Sequence, residues 1–190
     1  MIKGFIFLTL CILLASCANK DCNIETDPST PLNMAIRSLI SNDSSLATKL
    51  LDSGTNPNKQ NECGVSLLHI SIIVGDKELA LRLIQMGAES NLPNWQNETP
   101  VFMAANWSRN DVLEKLLLNK GDPNHQINTT SLFNTPLLIA ATNGNKKGVQ
   151  LLLEYGANPR LASPKGKTAL DIAKDDGYNE IVELLKNKKP

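Results

Sequence analysis

The chain has 190 residues, is 42% hydrophobic, 20% charged and 4% aromatic, and balances 19 Lys and Arg against 19 Asp and Glu. This composition excludes a disordered chain, a collagen-like repeat and a polytopic membrane protein. Zero net charge argues against nucleic acid as a partner, and two histidines, His69 and His125, leave little material for a histidine-based metal site or general base. In chain order, Met1 to Lys3 make a short positive start, and Gly4 to Leu14 is an uncharged run of 11 residues. At about 1.5 Å per residue this run covers only about half of a ~30 Å hydrocarbon core, so it reads as a signal peptide rather than a transmembrane helix.

The next residues, Leu14-Ala15-Ser16-Cys17, resemble a bacterial lipobox. The resemblance implies diacylglycerylation of the Cys17 sulfur, cleavage before it, and a lipid anchor strong enough to hold the mature chain at a membrane. Ala18 rather than Asp after the cysteine then points to the outer membrane. Read without the resemblance, the same residues make a plain secretory signal cut near Ser16, with Cys17 an ordinary thiol. The expected layout is a leader over residues 1–16, a tether over 17–27 and a folded domain over 28–190. Cys11 leaves with the leader, so Cys22 and Cys63 remain, either paired as a disulfide or as two thiols.

From there on the chain repeats itself. Thr30-Pro31-Leu32, Ser66-Leu67-Leu68-His69, Thr99-Pro100-Val101, Thr135-Pro136-Leu137 and Thr168-Ala169-Leu170 recur at intervals of 36, 33, 36 and 33 residues. A second series, Gly54, Gly87, Gly121 and Gly156, recurs at 33, 34 and 35. Each Thr or Ser reads as a helix N-cap with Pro at the first helical position in three of the units. Small residues such as Ala104-Ala105 and Ala140-Ala141 follow, where neighbouring helices approach closely. Gly75, Gly144 and Gly177 break this first helix. A second helix carries an aliphatic stripe, for instance Leu79, Leu83 and Ile84, and ends at the second-series glycine, which adopts a left-handed conformation. Asn58, Asn91 and Asn124 follow those glycines, with Asn158 shifted in the fourth unit. The turn-rich stretches 56–64, 92–97, 126–134 and 163–166 read as exposed hairpins.

These residues make the chain resemble ankyrin repeat proteins, with Thr135 to Ala157 the closest match to the family motif. The fold expected is an all-α solenoid of about five helix-turn-helix units with β-hairpin loops, over roughly 28–61, 62–94, 95–130, 131–163 and 164–190. Three departures stand out: three extra residues around Ser38 to Ser45, one near Trp107 to Asp111, and a hairpin two residues longer at His125 to Asn134. Lys174-Asp175-Asp176 and Lys186 to Lys189 fit a polar C-terminal cap.

The resemblance implies that hairpin tips and the exposed side of the first helices bind another protein. Trp95 at a tip and Trp107 at the end of a first helix are large residues at positions where packing does not ask for them, and Leu132 and Phe133 extend the same patch. His69 takes the place where the family's histidine bonds between repeats, and His125 has no paired ligand. No G-x-S-x-G, H-E-x-x-H or P-loop is present, and Asp175 and Asp176 point about 100° apart on a helix, so no catalytic residue, metal site or cofactor is assigned. Ankyrin lipoproteins of this build include immunity proteins that occlude phospholipase effectors, which implies that kind of partner. The alternative is a periplasmic partner of a resident enzyme, as in oxidative-stress protection.

Overall fold

The computed structural model of the chain describes residues 30–127 and 134–187. The leader, the tether, Cys17, Cys22, Leu132 and Phe133 lie outside the described residues, and with them the question of a Cys22–Cys63 bridge. Among the described residues there are ten helices in five antiparallel pairs. Unit one holds α1 (Pro31–Ile40) and α2 (Ser45–Asp52); unit two, α3 (Leu67–Val74) and α4 (Lys77–Gln85). Unit three holds α5 (Pro100–Asn106) and α6 (Asn110–Leu118), unit four α7 (Pro136–Thr142) and α8 (Lys146–Glu154), and unit five α9 (Ala169–Asp175) and α10 (Asn179–Asn187). The architecture is the expected all-α solenoid. First helices pack on first helices along the whole array, and second helices do so from α4 to α10.

Every unit starts for the same reason. The hydroxyl of Thr30, Ser66, Thr99, Thr135 or Thr168 accepts the N–H of the third helical residue, and Pro31, Pro100 and Pro136 occupy the first helical turn, where a missing donor costs nothing. From that cap to the left-handed residue between the two helices the spacing is the same in units two to five: Ser66 to Gly75, Thr99 to Ser108, Thr135 to Gly144 and Thr168 to Gly177. In unit one it stretches from Thr30 to Asn42, because the three extra residues continue the helix and make α1 a ten-residue element instead of enlarging a loop.

Unit three departs from expectation in the opposite direction. The left-handed residue after α6 is Lys120 (φ 60°), not Gly121, and the helix pair contains no extra residue. Gly121 instead stands where units two and four have Ala88 and Ala157; all three N–H groups donate back into the preceding helix, to Leu116, Leu83 and Leu152. It is glycine for want of room, since a Cβ there would lie 2.5 Å from Val101 Cγ2. With that register the loop between units three and four is three residues longer than its neighbours, not two. The expected hairpins are tight turns with almost no strand pairing. Backbone bonds from Asn61 N–H to Val65, Asn94 to Glu98, Ile127 to Asn134 and Ser163 to Lys167 close them, and only two isolated antiparallel bridges, Gln60 with Ser66 and Ala162 with Thr168, occur among the described residues.

An asparagine ladder ties the units together. Asn58 Nδ2 donates to the Gly87 carbonyl while its Oδ1 accepts from Glu89 N; Asn91 does the same with Lys120 and Asp122, and Asn124 with Gly156 and Asn158. One amide thus satisfies a carbonyl and an N–H exposed by the end of the next unit's second helix. In the last repeat the equivalent place is taken by Arg160. Ion pairs between second helices, Arg82 with Asp52 (2.5 Å), Lys146 with Glu180 (2.7 Å) and Lys77 with Asp111, are exposed and screened by water, so they add little to the packing.

The two ends differ. Met34 and Leu46 are 43% and 39% exposed, whereas their equivalents in units two and three, Ile70, Met103, Leu79 and Val112, are 4% exposed or less, because each covers the unit before it. At the other end Lys174 and Lys186 are exposed in the places where unit three buries Ala105 and Leu117, so unit five presents a charged outer face, as the expected cap requires.

Replacing Asn91 by Ala removes two bonds between units and should lower unfolding stability by about 1 kcal/mol in urea titration. Arg160→Ala, at the same register in the last repeat, should change it by less than about 0.5 kcal/mol.

Candidate functional site

A repeat stack offers side chains to a partner only where its own packing leaves them free. In the three central units the first helices leave very few: Leu67 to Ile73 of α3, Pro100 to Ala105 of α5 and Pro136 to Ala141 of α7 are all buried. The expected contribution from the exposed side of the first helices is therefore confined there to their last turns, and the loop tips carry most of the accessible side chains on that side.

The loop tips form a connected row. Gln60 Nε2 donates to Pro93 O across the first two loops (2.8 Å), and Trp95 N–H donates to Cys63 O (3.3 Å). Asn97 Nδ2 reaches Gln126 O (3.2 Å), and His125 Nε2 bonds the Asn97 carbonyl (2.9 Å). His125, for which the sequence offers no ligand partner, is thus a strut between loops. These bonds fix the tips relative to one another, so the row behaves as one surface.

Trp95 stands on this row with 44% of its surface exposed. Its backbone is held by the neighbouring loop, where Gly64 approaches so closely that a Cβ there would lie 3.2 Å from Trp95 N. Trp107 is placed differently from expectation. It is the C-cap of α5, half-buried and packed against the hydrophobic core, because the left-handed Ser108 turns the chain there and folds the indole back onto the stack. The two tryptophans flank α5 at opposite ends, at least about 10 Å apart along its axis. Cys63, whose carbonyl accepts the Trp95 N–H, is buried.

His69 is a structural residue of the same loop row. Ser66 N–H donates to its Nδ1 (3.1 Å), which puts the ring proton on Nε2, and Nε2–H donates to Leu92 O of the next loop (3.1 Å). Burial pushes its pKa down to about 4, with hydrogen bonds to backbone oxygens opposing. The neutral ring is what this geometry needs, since a second proton on Nδ1 would face an N–H.

Two further residues have roles the sequence did not announce. Glu98, beside the Thr99 cap, holds its carboxylate against Asn94 Nδ2 (3.0 Å), and burial raises its pKa above the usual glutamate value, the Asn94 bond opposing. Arg109 occupies the position that Asp76 and Asn145 fill as helix caps in their units. Its guanidinium donates instead to Ile72 O (3.0 Å) and Ile73 O (3.1 Å), capping α3 and covering Gly75. An open cleft of about 390 Å³ beside it is lined by Ile72, Gly75, Ser108 and Arg109, and a second of about 420 Å³ lies between units one and two near Asn42 and Lys77. Among the described residues no group of three or more His, Cys, Asp or Glu could hold a metal ion, and no helix is long and apolar enough to cross a membrane.

The family model described as "Ankyrin repeats (3 copies)" matches residues 32–127 and 111–190. An ankyrin repeat protein of Escherichia coli (strain K12), YahD, is 30% identical over 141 residues, which cover 72% of this chain and 69% of that one. Human NF-kappa-B inhibitor alpha is 33% identical over 144 residues, 70% of this chain and 44% of its own length. A Danio rerio relative named as the palmitoyltransferase ZDHHC13 is 29% identical over 157 residues, 83% of this chain but only 24% of that protein. This chain thus spans well under two thirds of the human and Danio rerio relatives.

Protonation of His69 opposes folding, so the stability this residue contributes is complete above pH 6.5 and is lost as pH falls from there towards 4. Denaturant titrations should find the protein about 2 kcal/mol less stable at pH 5 than at pH 7 on account of this group, and His69→Asn should remove that part of the pH dependence.

Proposed function

Because the chain belongs to the ankyrin repeat family, a non-catalytic scaffold for protein–protein interaction, we propose that it is a lipid-anchored binding protein of a bacterial envelope that neutralises a toxic lipase or phospholipase effector. The observation that carries the binding half is the loop row, a set of mutually hydrogen-bonded tips with an exposed tryptophan. A surface already fixed before contact loses little conformational entropy on binding, and an aromatic anchor on it is the residue type that dominates interface energies.

The location half rests on sequence. Lys3, the uncharged run ending at Leu14, and Ala15-Ser16-Cys17 come in the order a lipoprotein leader needs. With Cys17 acylated and Ala18 behind it, the body hangs from the outer membrane on the 17–27 tether, facing the periplasm, where a membrane-attacking lipase acts. A stiff platform works there by obstruction: it covers the enzyme's approach to lipid and performs no chemistry. Among the relatives, the human protein carries inhibition in its name, and the same mode of action is assigned here.

Trp95 is the proposed anchor. Leu132 and Phe133, in the lengthened loop between units three and four, are proposed to extend the contact, whereas Trp107, packed against the core at the far end of α5, is not part of it.

The experiment reads the reading frames beside the gene for a secreted lipase, whose absence there already counts against the effector reading, and pairs that enzyme with the purified body, residues 23–190. Stoichiometric loss of lipase activity is expected, and an unaffected lipase rejects the effector reading. In the same assay Trp95→Ala should weaken inhibition by about tenfold or more with an unchanged melting temperature. Trp107→Ala should mainly lower stability, by about 2 kcal/mol, since it uncovers core. Mass spectrometry of the mature protein should find Cys17 as its N-terminus with two or three acyl chains, and Cys17→Ser should release the body from membranes.

A further inference from the structure

The loop 92–98 holds a carboxylate that no lysine or arginine among the described residues pairs with. Asn94 organises the loop: its Oδ1 accepts from Gln96 N and Glu98 N (both 2.9 Å), its backbone N–H donates to Glu98 O (3.0 Å), and its Nδ2 donates to Glu98 Oε2 (3.0 Å). Glu98 is thereby aimed by a neutral amide. No lysine or arginine lies within ion-pair distance of it among the described residues, and the nearby His69 ring is neutral. Three positions away on the same closed loop, Trp95 exposes its indole.

The surroundings carry the same sign. Residues 55–66, 88–99 and 121–127, the described parts of the three linked loops, contain Glu62, Glu89, Glu98 and Asp122 against one lysine, Lys59, while the last loop, 157–168, carries Arg160, Lys165 and Lys167 and no acid. A half-buried carboxylate without a counter-charge costs stability, and the raised Glu98 pKa is the mark of that cost. Such a group is retained where its charge serves a ligand.

We propose that Trp95 and Glu98 together form a receptor for one basic side chain, an arginine or lysine, of the protein partner. The indole face attracts the cation through its quadrupole, and Glu98 supplies the carboxylate that the cation pairs with as water leaves. The acidic row from Glu62 to Asp122 steers that basic side chain towards the first three loops and away from the basic last one. This rests on the loop row being the partner-binding face, and it names the chemistry the partner must present there.

The test needs no partner in hand. The purified protein, with its tryptophan indole N–H signals assigned, is titrated with N-acetyl-arginine-N-methylamide and, separately, with the citrulline analogue, which has the same shape and no charge. The Trp95 signal should shift with the arginine compound and saturate in the millimolar range, the Trp107 signal should not move, and citrulline should have little effect. Glu98→Gln should weaken the response by about fivefold or more without lowering the melting temperature. Equal shifts with both compounds, or a response that survives Glu98→Gln, would overturn the proposal. If Trp95→Ala weakens lipase inhibition while Glu98→Gln does not, the loop face binds the effector but not through a cation, so this inference fails alone.

Discussion

No unit of this chain can bury its own apolar sides, and the rest of the structure follows from that. Leu79, Leu83, Val112, Leu116 and Leu152 are almost fully covered only because another pair of helices lies against them. Paired small residues, Ala104-Ala105 and Ala140-Ala141, let first helices come close enough for this to happen, and their complete burial shows how little room there is. Stability is accordingly a chain of nearest-neighbour contacts rather than a property of one centre. The asparagine ladder adds direction to that packing, because each amide meets the end of a helix in the following unit.

The periodicity made most of this legible. Caps at Thr or Ser, Pro at the first turn and stripes of leucine are local signals, and each unit states them afresh. What stayed hidden depended on choices between local alternatives. Lys120 takes the left-handed conformation although Gly121 is next to it, because the following position must fit against Val101. The three extra residues of unit one extend α1, since helix propagation costs less than opening a loop in a segment that already has an apolar face. Trp107 looks exposed from its place after a helix, yet the turn at Ser108 folds it back. The partial burial of Glu98 had no sequence signal, because it arises from a loop closed by Asn94.

Rigidity and recognition are linked in the loop row. The bonds of Gln60, Trp95, Asn97, His125 and His69 run between consecutive loops, so the geometry at one tip depends on the stacking beneath the next. A partner that reads several tips at once reads the helical repeat as well. The face therefore discriminates by spacing in addition to side-chain chemistry.

The unlike ends of the stack set how such an array can grow. A duplicated unit placed ahead of α1 would meet Met34 and Leu46, which already have the character of interior positions, and would need no new contact chemistry. One appended after α10 would have to settle on Lys174 and Lys186, burying two ammonium groups. Lengthening by gene duplication is thus open on the N-terminal side and closed on the other.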